Sequence, residues 1–191
     1  RETATHSESH LARQHALWIL EGIGGLDAKT IAATMGDEHP RVRIAALRVA
    51  EAFTVGLGNS AVDLDARIAL LTPLSKIVRD EQVDVRRQVA LSLPVIAVPG
   101  TEPMLRAFVA KRVGDAIIRD GLITGLAGRE LEFLQRVPSD AAWNREDKNM
   151  RSILKSLAGC VARQRDGARL ERLLKLTAKQ KPYFQRAVLE G

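Results

Sequence analysis

The sequence predicts an all-α chain in which about five helical hairpins stack as an α-α superhelix, and three observations lead there. First, the stretch Asp37-Glu38-His39-Pro40-Arg41-Val42-Arg43-Ile44-Ala45-Ala46-Leu47 returns in degenerate form at Asp80-Glu81-Gln82-Val83-Asp84-Val85-Arg86-Arg87-Gln88-Val89-Ala90. The offset is about 43 positions, a period that marks two-helix repeats. Second, an arginine recurs in the first helix of each hairpin at Arg13, Arg43, Arg86, Arg119 and Arg151. A small or aliphatic residue follows three places on, at Ala16, Ala46, Val89, Leu122 and Leu154. Third, aromatic residues make up only 4% of a chain rich in alanine and leucine, which favours closely approaching helices over aromatic-layered sheets.

The first hairpin covers about residues 10–36. Its first helix starts at Ser9 or His10 and carries Leu11, Leu17, Leu20 and Ile23 on one stripe, with Ala16 and Ile19 beside it. Gly24-Gly25 stops it. Asp27 is placed to cap a second helix, Ala28 to Met35, which Gly36 ends. The second hairpin, 37–80, enters through Asp37 and Pro40, and proline suits a first turn because its missing N–H would have no partner there. Val42, Ala46, Val49 and Phe53 face inward, and Arg41 and Arg48 face outward. A Gly/Asn/Ser loop at Gly56 to Ser60 leads to a long helix from about Leu64 to Arg79, in which Pro73 predicts a break near Leu71-Thr72.

The third hairpin, 81–113, has a first helix from Val83 to Ile96 that contains Pro94. After a Pro-Gly-Thr-Glu-Pro turn at residues 99–103 its partner helix runs from Pro103 to Val113. The fourth, 114–138, pairs Asp115 to Leu126 with Glu130 to Val137. The fifth, 146–180, pairs Glu146 to Arg163 with Gly167 to Thr177, and a further helix occupies 182–191. The whole of 1–191 thus reads as one solenoid, irregular where Pro73 and Pro94 bend it. The repeated arginine reads as a joint between successive units, bonded to carbonyls or to an aspartate of the neighbouring repeat, rather than as a basic ladder for phosphates.

Composition sets the outer limits. At 46% hydrophobic and 27% charged, the chain resembles an ordinary water-exposed protein. No apolar run approaches the roughly 18 residues needed to span a bilayer, so membrane insertion is not expected. The polar amino end, Arg1 to His10, holds no secretory signal. An opening Arg and a last helix that stops at Gly191 read as a piece excised from a larger multidomain protein. The net charge of +6 is placed unevenly: residues 1–145 hold 18 basic and 18 acidic side chains, and residues 146–191 hold 11 and 5.

Candidate chemistry is sparse. His6 and His10 have metal-ligand spacing on a helix but no cysteine beside them, and His15 reads as a packed or interface histidine. Cys160, the single cysteine, lies in an apolar helical stretch and reads as a core residue. Glycine-rich phosphate loops, nucleophile elbows and paired zinc motifs are missing, and the acidic pairs Glu130/Glu132 and Asp63/Asp65 sit where helices begin and the helix dipole favours acids. The sequence therefore supplies no catalytic, cofactor-binding or metal-ligating residue, and no cofactor is expected in this chain. What remains is a surface. Arg165, Arg169 and Arg172 read as one helix face, extended by Lys175 and Lys179, and Trp143 lies in a loop. A loop tryptophan is either a docking anchor or a residue packed on the neighbouring repeat.

Several segments in order carry a narrower likeness: Ala12-Arg13-Gln14-His15-Ala16-Leu17-Trp18-Ile19-Leu20-Glu21-Gly22, Pro40 to Arg48, Val85 to Leu93, and Ile118-Arg119-Asp120-Gly121-Leu122 to Glu130. The pattern is that of HEAT repeats, a HEAT/armadillo-like solenoid. Over most of residues 10–135 it resembles the HEAT-repeat segment of large secreted proteins of planctomycetes and verrucomicrobia. In that family the segment follows a membrane-bound-dehydrogenase-like β-propeller and precedes a c-type cytochrome domain with a CxxCH motif. The resemblance implies a periplasmic or secreted parent. It carries no haem onto this chain, which has one cysteine and no histidine after His39.

The expected role is a non-catalytic scaffold or protein-protein interaction module whose partners are flanking domains of the parent or another protein. The alternative is a nucleic-acid-binding HEAT-like module that uses the basic C-terminal quarter, similar in kind to the HEAT-like DNA glycosylases of bacteria. Nucleic acid is the less favoured partner, because base-stacking aromatics are scarce and the basic residues do not extend along the repeats.

Overall fold

The computed structural model is helical from end to end of its described residues. It describes every residue except Asn59, Ala97 and Pro99, together with the side chains of Ala61 and Val62 left out. Those exceptions take Asn59 of the expected Gly56 to Ser60 loop and Pro99 of the expected 99–103 turn outside the described residues. Among the described residues the structure is all-α, without strands. It divides into two compact units, Arg1–Leu105 and Arg106–Gly191.

The first unit holds α1 (Glu2–His6), α2 (His10–Gly22), α3 (Ala28–Met35), α4 (Pro40–Gly56), α5 (Ala61–Ala69), α6 (Leu71–Ile77) and α7 (Val83–Ser92). Helix α8 (Thr101–Ala110) contains the division. First helices stack on first helices, α2 on α4 and α4 on α7, while α3 packs on α4, α5 and α6. Helix α4 is the hub. Its Val42, Ala45, Ala46, Leu47, Val49 and Ala50 are all buried, and each larger side chain so buried contributes about 1.5–3 kcal/mol.

The second unit holds α9 (Ala116–Gly125), α10 (Glu130–Arg136), α11 (Lys148–Arg163), α12 (Gly167–Thr177) and α13 (Pro182–Leu189). The same order recurs: α11 packs on α9, α10, α12 and α13, and α12 packs on α10 and α13. Met150, Ile153, Leu154, Leu157 and Val161 of α11 form its centre.

Local chemistry explains the boundaries. Ser9, Asp27, Asp115, Asp147 and Asp166 each accept a backbone N–H as N-caps, and Ser60 with Asp63 forms a reciprocal capping box. Gly24, at φ 66°, closes α2: its N–H donates to Glu21 O at 3.1 Å, and that of Gly25 donates to Leu20 O at 2.7 Å.

The prolines act as expected in kind and differ in detail. The helix expected over Leu64 to Arg79 breaks at Leu70, and Pro73 then sits in the first turn of α6, where an N–H has no helical partner. Helix α7 ends at Ser92 rather than Ile96, because Pro94 has no N–H to continue the ladder. Helix α8 starts at Thr101, with Pro103 again in a first turn.

One expected face is rotated. Leu11, Ile19 and Ile23 are exposed, while Arg13 and Leu17 are the buried residues of α2. Arg13 turns inward because its bonding partners lie there. Its Nε and Nη2 bind Asp37 at 2.7 and 2.9 Å, and Nη1 binds the carbonyl of Ser7 at 2.6 Å. Arg43 repeats the joint, with Nε and Nη2 on Asp80 at 2.7 and 3.0 Å and Nη1 on the carbonyls of Asp37 and Glu38. Arg86 binds the carbonyls of Asp80 and Glu81, and Arg119 that of Val113. Each of these four arginines thus clamps the turn before its own helix, and two of them also bind the aspartate that opens the next hairpin. Arg151 departs from the pattern: it is exposed and pairs with Glu190.

Candidate interaction surface

Helix α12 was expected to carry a continuous basic strip, and the structure takes that strip apart. Arg165 precedes the cap Asp166 in a left-handed conformation, φ 54°, so it does not share the face of Arg169 and Arg172. Arg169 turns toward α10, where it binds both oxygens of Glu132 at 3.3 and 3.2 Å and the carbonyl of Gly128 at 3.1 Å. Arg172 approaches Glu132 at 3.7 Å, and Lys175 pairs with Glu171 one turn back at 2.6 Å. Arg172, Lys175 and Lys179 remain exposed and, with Gln135, Leu176 and Gln180, line a shallow groove of about 320 Å³ between α10 and α12. The charge of this surface is partly balanced by Glu132 and Glu171.

Trp143 is no docking anchor. It is 0% exposed, meets Phe133 edge to face with ring centroids 5.6 Å apart, and donates Nε1 to the carbonyl of Arg106 at 3.2 Å. The loop that carries it forms short 3-10 turns at Val137–Ser139 and Ala141–Trp143. Tyr183 of α13 donates its hydroxyl to the Trp143 carbonyl at 2.7 Å, and burial raises the phenol above its ordinary value. Packing of the loop, the other sequence reading, is the arrangement found.

The histidines do not converge. His6 lies in α1 and His10 in α2, separated by Ser7 to Ser9, so they share no helix face. His10 instead stacks on His39, with centroids 3.7 Å apart and planes at 12°, a pairing sequence spacing could not show. His15 is exposed. Cys160 is half-buried, with Arg163 Nη2 at 3.2 Å from its sulfur. Among the described residues no three His, Cys, Asp or Glu side chains gather as a metal ion requires, and no helix is long and apolar enough to cross a membrane. The sequence also gave no sign that Glu132 is the counter-charge of α12. Its only signal was an acid in the first turn of α10.

Neither the protein-family models nor the curated proteins match this chain. Among solved structures it is similar to the crystal structure of an engineered protein at 17% identity, over 99% of this chain and 93% of the other, with a TM-score of 0.49.

Proposed function

We propose that this chain is a non-catalytic helical-repeat scaffold, a protein-protein interaction module of a larger protein. The joints made by Arg13 and Arg43 carry the reading: each binds the turn before its own helix and the aspartate that opens the next hairpin. A repeat whose signature residue holds it to its neighbour builds surface rather than a reaction centre. The exposed side chains of Arg172, Lys175 and Lys179 then supply the interaction face, with an acidic protein surface as the fitting partner. The resemblance over most of residues 10–135 supports a parent that is secreted or periplasmic and dehydrogenase-like with a c-type cytochrome domain, and partners among its flanking domains.

Absorbance spectroscopy, metal analysis and a dehydrogenase assay on the purified chain test this reading. A colourless, strongly helical protein without metal or activity is expected, and stoichiometric haem or metal would end the proposal. The gene on either side of residues 1 and 191 tests the parent: a propeller upstream and CxxCH downstream are expected.

A further inference from the structure

The His10–His39 pair has no part in the interaction surface. His10 opens α2 and His39 stands in the turn before α4, so the two rings come from successive hairpins. They lie face to face, 3.7 Å apart, and both residues are half-buried. His39 is also the N-cap of α4. Its Nδ1 accepts the backbone N–H of Arg41 at 3.3 Å, which places the proton of the neutral ring on Nε2. The caps of α2, α3, α9, α11 and α12 are serine or aspartate oxygens. An imidazole is the one capping acceptor in this set that is lost near neutral pH.

The groups facing the pair leave little to welcome a second charge. From α2 come His10 itself and Arg13, from the turn Asp37, and from α4 Arg41; Glu38 and the carbonyls of Ser7 and Glu8 are bound to Arg13. Asp37, the nearest carboxylate, is already engaged by both nitrogens of the Arg13 fork and by the N–H of His39.

We propose that the His10–His39 stack is an acid-sensitive latch between the first two hairpins, closed while the His39 ring is neutral and opened when His39 takes a proton on Nδ1. That proton removes the acceptor for Arg41 N–H and sets a cation flat against His10. Burial, then the charges of His10 and Arg41, hold the His39 imidazole below its ordinary value, with Asp37 opposing and Arg13 adding to the fall. A folded value below the unfolded one, about 6.5, means that the latch stabilises fully above that pH and loses its contribution as pH falls below it.

Proton NMR titration of the histidine rings and amide hydrogen exchange between about pH 7.5 and 5.5 test the latch, with corrections for intrinsic exchange rates. His39 should titrate below the ordinary imidazole value, and His10→Gln should move it upward. Exchange at the Arg41 to Arg43 amides should rise about tenfold on acidification. His39→Asn keeps a capping oxygen without a titrating ring and should abolish that rise. An ordinary His39 midpoint unmoved by His10→Gln, or an acid response that survives in His39→Asn, overturns the proposal. A merely structural stack would lower stability in His10→Gln and leave the pH response unchanged.

Discussion

Replacing Arg43 by methionine keeps the aliphatic stem and deletes a fork that makes four hydrogen bonds. Two go to Asp80, at 2.7 and 3.0 Å, and two to the carbonyls of Asp37 and Glu38, at 2.8 and 2.9 Å. The Arg43 and Asp80 side chains are 14% and 9% exposed, so the carboxylate left behind cannot simply rehydrate. Removing one partner of such a buried pair costs about 3–5 kcal/mol. Some water reaches Arg43, so about 3 kcal/mol is expected for Arg43→Met. Asp80→Asn keeps one acceptor oxygen and should lose about 1.5–3 kcal/mol, the worth of hydrogen bonds to a charged group. Arg43→Lys should lie near the methionine variant, because an ammonium cannot bridge both carboxylate oxygens and the turn carbonyls together. Urea unfolding followed by circular dichroism measures each single variant and the double one. A coupling energy of at least about 1.5 kcal/mol is expected for so close a pair. Arg41→Met, two residues away and exposed, is the control and should stay within about 0.5 kcal/mol. If Arg43→Met behaves like that control, the joint is decorative and the reasoning fails.

Three further outcomes are expected. Trp143→Ala should cost about 3–5 kcal/mol in thermal unfolding, as emptying a fully buried tryptophan site does; a loss under about 1 kcal/mol would restore an exposed anchor role. Asp147→Ala removes the acceptor of Asn149 and Met150 N–H at the start of α11 and should cost about 1 kcal/mol by the same assay, with no change if the cap is idle. Reversing Arg172, Lys175 and Lys179 to glutamate should abolish salt-sensitive binding to an acidic peptide and change stability by under about 1 kcal/mol, because these side chains are exposed; a large stability loss would make the strip structural.

The repeat was legible because its signature has a mechanical job. Arg13, Arg43, Arg86 and Arg119 all have to reach the carbonyl of the turn before their helix, so the register survives where the rest of the sequence drifts. Helices α3, α12 and α13 begin where caps or Pro182 placed them, since those signals act within one turn. Helix α1 was missed because it has five residues and a single buried one, Ala4, which leaves no apolar period to read. The stripe of α2 was misjudged for a different reason: hydrophobic periodicity cannot anticipate that an arginine takes the inward position. Trp143 and the α12 strip show the same limit. Their settings depend on Phe133, Arg106 and Glu132, residues distant in sequence whose approach only the fold decides.

Arginine footprinting tests the central claim, that Arg13 and Arg43 are joints facing inward. The native chain is treated briefly with phenylglyoxal, and modification at each arginine is read by mass spectrometry. Arg13, 5% exposed, and Arg43 should stay unmodified while the exposed Arg41, Arg48 and Arg165 react. Modification of Arg13 and Arg43 as fast as Arg41 would contradict the account.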